Sequence, residues 1–549
     1  MKPSVKLYSL PATFFLTIFS VNAQVTHYVD LGSTNPVAPY LDWSTAATNI
    51  QTAIIAANPG DLVLVSNGLY NASGARIFDP SNQNYLITSR IIVSNGVTVS
   101  SLNGPAATII QGNPILSCAC LVGTAELNGF TLSNGTAYPG SIGTFGGGAY
   151  CFSTNALLVN CIICSNTASA GAGVFSGTLI NCLVSNNVAS GAESPSGQRY
   201  SGGGACDSVI YNCTLAGNTA LSGGGAYNCL LTHCALIGNN ASSTGTTGGA
   251  GGGAFGGVLN DCTLRGNTAA NNSYTSGGGA AVSNVLNNCV IADNGTYLAA
   301  PRAAIGCYMT NCTICRNTNR SDDGSTVVAG CTLRNCILYY NGYTTYSGND
   351  LKFCCTQLPS TYPPAGSNDI SAAPLFVDTN NDFHLLSNSP CINSGKNAYV
   401  TVTTDMDGNP RIVGGTVDIG AYEYQTPSSV ISYNYLQQYG LRTDGSVDYA
   451  DLDGTGFNVY QDWVAGLNPT NPASVLAMLT PVATNAPGLT VSWQSVSGIL
   501  YNLERSTNLA TQPPFSIIRT NIPGQTGTTS YTDTSATNDF PYFYRVGVP

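Results

Sequence analysis

The segment Ile210-Tyr-Asn-Cys213-Thr-Leu-Ala-Gly-Asn218 is one copy of a phrase that recurs between residues 128 and 341. The phrase is an aliphatic residue three places before an Asn-Cys cysteine, a second aliphatic residue two places after it, and an asparagine five places after it. The copies centre on Cys161, Cys182, Cys213, Cys234, Cys262, Cys289, Cys312 and Cys336. The closing asparagines are Asn166, Asn187, Asn218, Asn239, Asn267, Asn294, Asn317 and Asn341. Each unit therefore presents three inward-facing apolar positions.

The composition of these units decides among the repeat architectures that fit a spacing of 21 to 31 residues. The units are rich in Gly, Asn, Thr and Ser and poor in charged helix formers, which disfavours helical repeats. They are also too short to form the four strands of a propeller blade. We therefore predict a parallel β-helix, in which equivalent residues stack about 4.8 Å apart. Asparagine suits a sharp corner because it tolerates the left-handed conformation and can donate its amide to the next asparagine.

The chain has twenty cysteines, and those of the repeat occupy positions where small core residues belong. The rung spacing exceeds the Cβ separation of about 3.8 Å that a disulfide prefers, so we predict buried free thiols. An alternative is that pairs five residues apart bridge a corner, namely Cys229 with Cys234, Cys307 with Cys312, and Cys331 with Cys336. A metal site is disfavoured because the CxxC pairs have no clustered second pair.

Composition also bounds the partners and the location of the protein. Only 8% of the 549 residues are charged and the net charge is −10, which argues against nucleic acid and anionic membranes. Residues 1–23 are typical of a secretory signal peptide, with Lys2 and Lys6 before an apolar run and Val21-Asn22-Ala23 as cleavage site. No later stretch is long and apolar enough to span a bilayer. We expect a secreted or cell-surface monomer.

The flanks of the repeat have their own signals. In residues 24–60, Ser44 is a candidate cap for a helix with apolar Ile50, Ala53, Ile54 and Ala57, which would cover the first turn of the coil. Clusters reading Gly-Gly-Gly-Ala precede most copies, as at residues 202–205 and 223–226. A phosphate-binding loop is excluded because no Gly-Lys-Ser/Thr follows. The glycines instead predict a tight corner against the neighbouring rung.

These features carry a family resemblance. Gly-Gly-Ala followed by an apolar residue with Asn three places after it resembles the repeat of chlamydial polymorphic outer-membrane proteins, and the Asn-Cys form is similar to repeats of exported, pectate-lyase-like proteins. The resemblance spans about residues 25–424 and implies a right-handed β-helix. It also implies that residues 374–424 form a C-terminal cap, in which His384 has a structural role. Asp405, Asp407 and Asp418 are predicted to cap turns rather than bind a cation.

Two further segments follow the β-helix at residues 24–424. In the linker at residues 425–472, Asp451, Asp453, Thr455 and Asp462 occupy positions 1, 3, 5 and 12 of a calcium loop with glycine at position 6. This part resembles a dockerin or thrombospondin-3 segment, although Thr455 replaces an acidic ligand, so any calcium site would be weak. Residues 473–549 show short alternating strands anchored by Trp493 and Tyr501, and resemble a fibronectin-III-like sandwich.

Two functions are compatible with this organisation. The first is an exported, non-catalytic coil that presents a long surface for adhesion or glycan binding. The second is a polysaccharide lyase or glycoside hydrolase of the pectate-lyase-like class, which needs a base beside carboxylates. Stacking predicts that Asp293 and Arg316 are neighbours, most simply as a surface ion pair. The late coils also supply a candidate substrate-binding cluster, comprising Arg316, Arg320, Asp322, Asp323, Tyr340, Asp350 and Lys352.

Overall fold

The computed structural model describes residues 24–549 except 73, 80–81, 138–144, 191, 194–198, 243–248, 271–276, 297–301, 318–326, 342–347, 358–367, 481, 484–487 and 538–540. The predicted signal peptide lies outside the described residues. Within them, three mainly parallel sheets run along one coil, and the strands of the third sheet belong to the six turns from Thr167–Ala168 to Gly295–Thr296.

The bounds of the strands follow the repeat. The first sheet contains Thr26–Val29, Leu62–Val65, Ala75–Asp79, Asn82–Val93, Thr98–Ser101, Ser117–Leu121, Glu126–Asn128, Ala149–Cys151, Leu157–Val159, Val174–Ile180, Ala205–Tyr211, Ala226–Thr232, Ala254–Asn260, Gly278–Val282, Val285–Asn287, Arg302–Ile305, Tyr308–Thr310, Val328–Ala329, Thr332–Arg334 and Asp350–Lys352. The second contains Gly68–Tyr70, Thr108–Gln111, Thr131–Ser133, Ile162–Cys164, Leu183–Ser185, Thr214–Ala216, Ala235–Ile237, Thr263–Arg265, Val290–Ala292, Thr313–Cys315, Ile337–Tyr339 and Cys355–Thr356. The third contains Thr167–Ala168, Val188–Ala189, Thr219–Ala220, Asn240–Ala241, Thr268–Ala269 and Gly295–Thr296.

The register of these sheets places equivalent residues of the repeat over one another. Ile210 pairs with Leu179 on one side and with Leu231 on the other, and all three are fully buried. Because the side chains of a strand alternate between faces, this register keeps one apolar file pointing into the coil. The architecture is therefore a parallel β-helix, which confirms the predicted all-β fold class.

The closing asparagines form the predicted ladder. The amide Nδ2 of Asn218 donates to Oδ1 of Asn239 at 3.0 Å, and Nδ2 of Asn239 donates to Oδ1 of Asn267 at 3.0 Å. Each Oδ1 also accepts the backbone N–H of the preceding asparagine in the file. The same pattern runs from Asn166 to Asn341, and every member is buried.

The prediction that these asparagines adopt the left-handed conformation is wrong. The positive φ angle belongs instead to the residue before each ladder asparagine, for example 57° at Asp293 and 56° at Arg316. A second set of positive angles occurs immediately before the cysteines, as at Asn212 with φ 51°. The physical reason is that the ladder side chain must point inward, so the chain reverses at the residue before it.

The repeat cysteines are buried free thiols, as predicted. All twenty cysteines lie in the described part of the chain and none is in a disulfide. The backbone N–H of Cys182 donates to Sγ of Cys213 at 3.2 Å, and the Cys182 thiol donates to the carbonyl of Ile180 at 3.3 Å. Burial raises the pKa of the Cys262 and Cys289 thiols well above the ordinary value. The repeat cysteines thus pair with backbone groups at the corner, and the Cys262 and Cys289 thiols remain protonated.

The glycine clusters pass the ladder at close range. A Cβ atom on Gly204 would lie 2.5 Å from the carbonyl oxygen of Gly225 and 3.1 Å from Nδ2 of Asn218. The backbone N–H of Gly204 donates to the carbonyl oxygens of Gly224 and Gly225. Neighbouring rungs are thus in backbone contact here, which supports the interpretation of the clusters as tight corners rather than ligand loops.

A short helix covers the first turn of the coil. Helix α1, Ile50–Ala56, buries Ile50, Ala53 and Ile54 in the same apolar cluster as the inward-facing residues of the coil. It begins after Asn49, whose side chain accepts from the backbone N–H of Gln51 and Thr52. Ser44, the predicted cap, belongs instead to the 3-10 turn Trp43–Thr45. Asn49 caps the helix because it immediately precedes the buried apolar positions.

Residues 374–424, here called the flank segment, do not stack on the last rung as an end cap would. The hairpin Phe376–Asp378 and Asp382–Leu385 buries Phe376 and Phe383 against Val290 and Ile337 on the outer face of the second sheet. Farther along, the carbonyl of Thr404 accepts from Asn288 at 2.7 Å. The outer face of these rungs is apolar, so the segment runs back along the side of the coil to cover it.

The remaining elements are short helices, two C-terminal sheets and a hairpin. The 3-10 turn Asn397–Tyr399 lies in the flank segment, and helices α2, Tyr433–Gln438, and α3, Val459–Ala465, follow it. The C-terminal part has two antiparallel sheets, which pack around Trp493 and Tyr501, both fully buried as predicted. Their strands are Val482–Ala483, Leu489–Ser495 and Gly527–Asp533 in one sheet, and Leu500–Ser506, Ser516–Pro523 and Phe543–Gly547 in the other. A small hairpin, Ala192–Glu193 with Arg199–Tyr200, projects from the coil.

Candidate functional site

A polar groove of about 330 Å³ lies on the outside of the coil, where the first sheet turns into the second. It spans three successive rungs and ends at the flank segment, which contributes one side chain to its wall. The lining residues are Asn212, Cys213, Thr214, His233, Cys234, Ala235, Asp261, Thr263 and Met406. The groove is therefore the uncovered part of a surface that the flank segment buries from Asn288 onward.

Two groove residues depart from the repeat. His233 and Asp261 stand immediately before their cysteines, where six of the eight copies have asparagine. Both share the left-handed conformation of that corner, with φ 52° at each, so their side chains project outward from adjacent rungs. Sequence reasoning missed this pair, although the signal was present as two substitutions in an otherwise uniform asparagine column. The structure identifies them as the chemical centre of the groove.

Asp261 is held from one side only. The amide Nδ2 of Asn288 donates to its Oδ1 at 3.0 Å, and Oδ2 accepts no hydrogen bond from the described residues. Partial burial raises the pKa of Asp261, and this effect outweighs the hydrogen bond from Asn288 and the attraction of His233. The groove therefore has one carboxylate oxygen directed outward and available to a hydrogen-bond donor.

Arg316 and Tyr340, two members of the predicted cluster, lie on a different corner, after the second sheet. The predicted proximity of Asp293 and Arg316 is confirmed by a 2.7 Å ion pair, and Arg265 also contacts Asp293 at 2.8 Å. Both guanidinium groups donate to the carbonyl of Asn380 in the flank hairpin, at 3.1 Å from Arg265 and 2.8 Å from Arg316. This arrangement fastens the hairpin to the coil and is not directed into the groove.

Asp350 and Lys352 lie on the first sheet rather than beside Arg316. Their strand pairs with Thr332–Arg334, and Oδ2 of Asp350 contacts Nη2 of Arg334 at 2.5 Å. Arg320, Asp322 and Asp323 lie outside the described residues. The structure therefore divides the described members of the predicted cluster between two sheets.

A second polar group lies on the flank segment beside the groove. Nδ1 of His384 contacts Oδ1 of Asp382 at 2.5 Å, and Nε2 contacts Oδ2 of Asp407 at 2.6 Å. The imidazole also packs on Tyr422, with ring centroids 4.0 Å apart. Both partners are acceptors, so the ring donates from both nitrogens. His384 thus joins the hairpin to the turn that carries Met406.

The pKa of His384 follows from these contacts. Burial lowers it, but the hydrogen bonds to Asp407 and Asp382 raise it more, and the net shift is upward. The stability that His384 contributes should be fully present below about pH 6.5, the ordinary pKa of histidine, and lost as pH rises through the higher pKa of the folded state. We expect urea unfolding of wild type and His384→Gln to differ at low pH and to converge as pH rises. A difference that grows with pH would contradict this linkage.

Asp405 and Asp418 cap turns, as predicted, whereas the carboxylate of Asp407 contacts Nε2 of His384. Asp418 accepts from the backbone N–H of Asn393 at 2.7 Å and of Tyr424 at 2.7 Å. Asp405 accepts from Asp407 and Asn409 with one oxygen and from Glu423 with the other. These carboxylates organise the backbone and are not open to a ligand.

The calcium-like loop brings its carboxylates close together. The two oxygens of Asp451 accept from the backbone N–H of Gly454 and Gly456, and Oδ1 of Asp453 accepts from Thr455. Oδ2 of Asp453 and Oδ1 of Asp462 are buried without a hydrogen-bond partner among the described residues. Burial, together with repulsion from Asp453 and Asp451, raises the pKa of Asp462 to about 6.

The donor set of this loop suits calcium, but it is not closed around one point. Within the described part of the chain, no three His, Cys, Asp or Glu side chains meet tightly enough to hold a metal ion. The residues that would hold a calcium ion are Asp451, Asp453, Thr455 and Asp462, and the ion would supply the coordination that the two unpaired oxygens lack.

Comparison with known proteins gives no family assignment. No family model matches the chain, and no curated protein sequence matches it. Among solved structures, pectate lyase Pel9A is 16% identical, with a TM-score of 0.39, over 74% of this chain and 97% of that one. A rhamnogalacturonan lyase is 11% identical, with a TM-score of 0.28, over 71% and 95%. A PL6 family alginate lyase is 10% identical, with a TM-score of 0.31, over 61% and 53%. At these values the likenesses assign neither activity nor substrate.

None of the helices in the described ranges combines the length and apolar character needed to cross a membrane.

Proposed function

We propose that this protein is an exported, non-catalytic β-helix that binds glycans in the groove around His233 and Asp261. The observation that carries the proposal is the row of hydrogen-bonding side chains on successive rungs of this groove, Asn212, His233 and Asp261, with Thr214 and Thr263 beside them. Sugar hydroxyls both donate and accept, so an amide, an imidazole and a carboxylate are matched partners. The long coil and the predicted signal peptide fit an extracellular polymer as ligand.

The rung spacing supports an extended ligand. Equivalent side chains of a β-helix recur about every 4.8 Å, and His233 and Asp261 occupy adjacent rungs in one column. Met406 supplies an apolar contact on the wall formed by the flank segment. A polysaccharide lying along this column would meet polar groups on one side and an apolar side chain on the other, as in most small-ligand sites.

The test of the proposal is affinity electrophoresis of the full chain in gels that contain individual polysaccharides. We expect one class of polymer to retard wild type and His233→Asn to bind about tenfold more weakly, a loss of about 1.4 kcal/mol. His233→Asn restores the residue that most rungs have at this corner, so the fold is preserved. Asp207→Asn, at a corner of the same coil that does not line the groove, is the control and should bind as wild type does. Retardation that His233→Asn leaves unchanged would contradict the proposal.

The alternative is a polysaccharide lyase or glycoside hydrolase. Its supporting observation is that His233 places an imidazole beside the carboxylate of Asp261, an arrangement that can transfer protons. Lyase or retaining chemistry would need further groups, and the described groove lining has a single carboxylate. The polymers that bind should therefore show no release of reducing or unsaturated ends. Turnover that His233→Ala abolishes would establish the alternative.

We further propose that the loop with Asp451, Asp453, Thr455 and Asp462 binds calcium weakly and stabilises the 425–472 segment. The proposal is supported by the two unpaired buried oxygens, which a cation would coordinate. We expect about 1 mM calcium to raise the melting temperature of the full chain, a concentration suited to extracellular modules. Asp462→Asn should remove this increase, whereas Asp444→Asn, an exposed aspartate outside the loop, should retain it. An equal calcium-dependent increase in the melting temperature of both variants would contradict the proposed calcium site.

A further inference from the structure

The groove has no Lys or Arg among its described lining residues, and its one basic group is the imidazole of His233. The carboxylate of Asp261 is the acidic group of the lining, and the carboxylate of Asp405, which caps a turn, lies close enough to repel it. The chain as a whole carries 17 Lys and Arg residues against 27 Asp and Glu. A ligand entering this groove therefore meets negative charge and neutral hydrogen-bonding groups.

The arginines around the groove are held by other contacts. Arg265 and Arg316 share Asp293, at 2.8 and 2.7 Å, and both also donate to the flank hairpin. Arg411 is fully buried and donates to the carbonyls of Asp418, Gly420 and Ala421. Neither set can turn toward the groove without breaking several charge-assisted hydrogen bonds.

This charge distribution disfavours the binding of anionic polysaccharides relative to neutral ones. A polyuronate or a sulfated polymer carries repeated negative groups, and their recognition ordinarily uses Arg or Lys in bidentate contact. Here such a polymer would place its charges beside Asp261, and like charges in contact cost several kcal/mol. A neutral polymer has no such cost.

The polar groups of the groove fit a neutral sugar ring. Oδ2 of Asp261 has no hydrogen bond from the described residues, and Asn288 fixes the carboxylate through Oδ1 at 3.0 Å. A carboxylate oriented in this way accepts from a sugar hydroxyl, while the amide of Asn212 can both donate and accept on the neighbouring side. From this geometry we infer that the groove recognises a neutral polysaccharide, with Asp261 as the residue that selects against anionic ones.

This inference rests on the proposed glycan-binding function. Binding to a set of neutral and anionic polysaccharides tests the inference and the proposed function separately. Binding of the full chain is measured at pH 8 and low salt, where an ordinary imidazole is neutral, to neutral β-glucan, mannan and galactan and to polygalacturonate, alginate and carrageenan. We expect at least one neutral polymer to bind about tenfold or more tightly than every anionic one. Asp261→Asn should reduce the ratio of the affinity for neutral polymers to that for anionic polymers, because it strengthens binding of the anionic ones.

The matched control is Asp207→Asn, which removes a carboxylate from another corner of the same coil. It should leave the ratio unchanged. Tighter binding of an anionic polymer, weakening as salt is added, would overturn the inference while leaving the groove a glycan site. Equal binding of both classes would also overturn it. Absence of binding to every polymer would instead remove the proposed function itself.

Discussion

Replacing Asn239 by alanine is expected to lower the free energy of unfolding by about 3 to 9 kcal/mol. The change removes the acceptor of two donors on Asn218, its backbone N–H and one hydrogen of its Nδ2, and the donor to the carbonyl of Leu215. All three groups are buried, and each unpaired buried group costs about 1 to 3 kcal/mol. Urea unfolding of the two proteins measures the difference.

The control for this change is Asn181→Gly. Asn181 is an exposed corner asparagine with φ 54°, an angle that glycine accepts, and its amide contacts Asn160 at 3.4 Å in solvent. We expect a change within about 1 kcal/mol. Similar losses in both variants would mean that the buried ladder has no special part in stability.

Replacing Arg411 by methionine is expected to cost about 3 to 5 kcal/mol and to loosen the flank segment from the coil. Arg411 is fully buried, contacts Glu423 at 3.8 Å and donates to three carbonyls. Its removal leaves Glu423 and Asp418 without a compensating positive charge. Burial already raises the pKa of both carboxyls, so the variant should take up protons more readily on folding.

Unfolding in urea and limited proteolysis of the flank segment together measure this effect. Arg442→Met provides the comparison, because Arg442 is largely exposed and its contact with Asp444 is 3.8 Å. It should leave both the unfolding curve and the cleavage pattern as in wild type. Unchanged proteolysis in Arg411→Met would show that the buried guanidinium does not hold the flank segment in place.

The coil was predictable because its information is local and repeated. A single spacing, Cys to Asn five places later, places Asn218, Asn239 and Asn267 in one file, and the structure contains that file. The same stacking rule correctly paired Asp293 with Arg316. Identical positions in successive turns are the one kind of long-range contact that a repeated sequence reveals directly.

The flank segment was not predictable in this way. Its position depends on the outer face of the second sheet, where Val290, Ala292 and Ile337 are apolar although they point away from the core of the coil. No local pattern distinguishes an outward apolar residue that will be covered from one that stays exposed. The resemblance implied a cap on the end of the coil. The contacts of Phe376 and Phe383 show instead that the segment packs on the outer face of the second sheet.

The candidate site was partly visible in the sequence. Residues close in sequence, such as Arg316 and Tyr340 on one hand and Asp350 and Lys352 on the other, fall on different sheets because each turn of the coil changes direction at every corner. Residues on one column, such as His233 and Asp261, stay together although 28 positions separate them. A search for departures within each column finds the groove, whereas a search for charge clusters along the chain does not.

The most direct test of the groove uses the chain's three histidines, His27, His233 and His384. Nuclear magnetic resonance of protein labelled at histidine follows each imidazole while a bound polysaccharide is titrated, and single substitutions assign the signals. We predict that the His233 signal shifts and saturates with the binding curve, while His27, which is buried and contacts Pro39 and Asp61, stays unchanged. Saturable binding with no change at His233 would contradict the account.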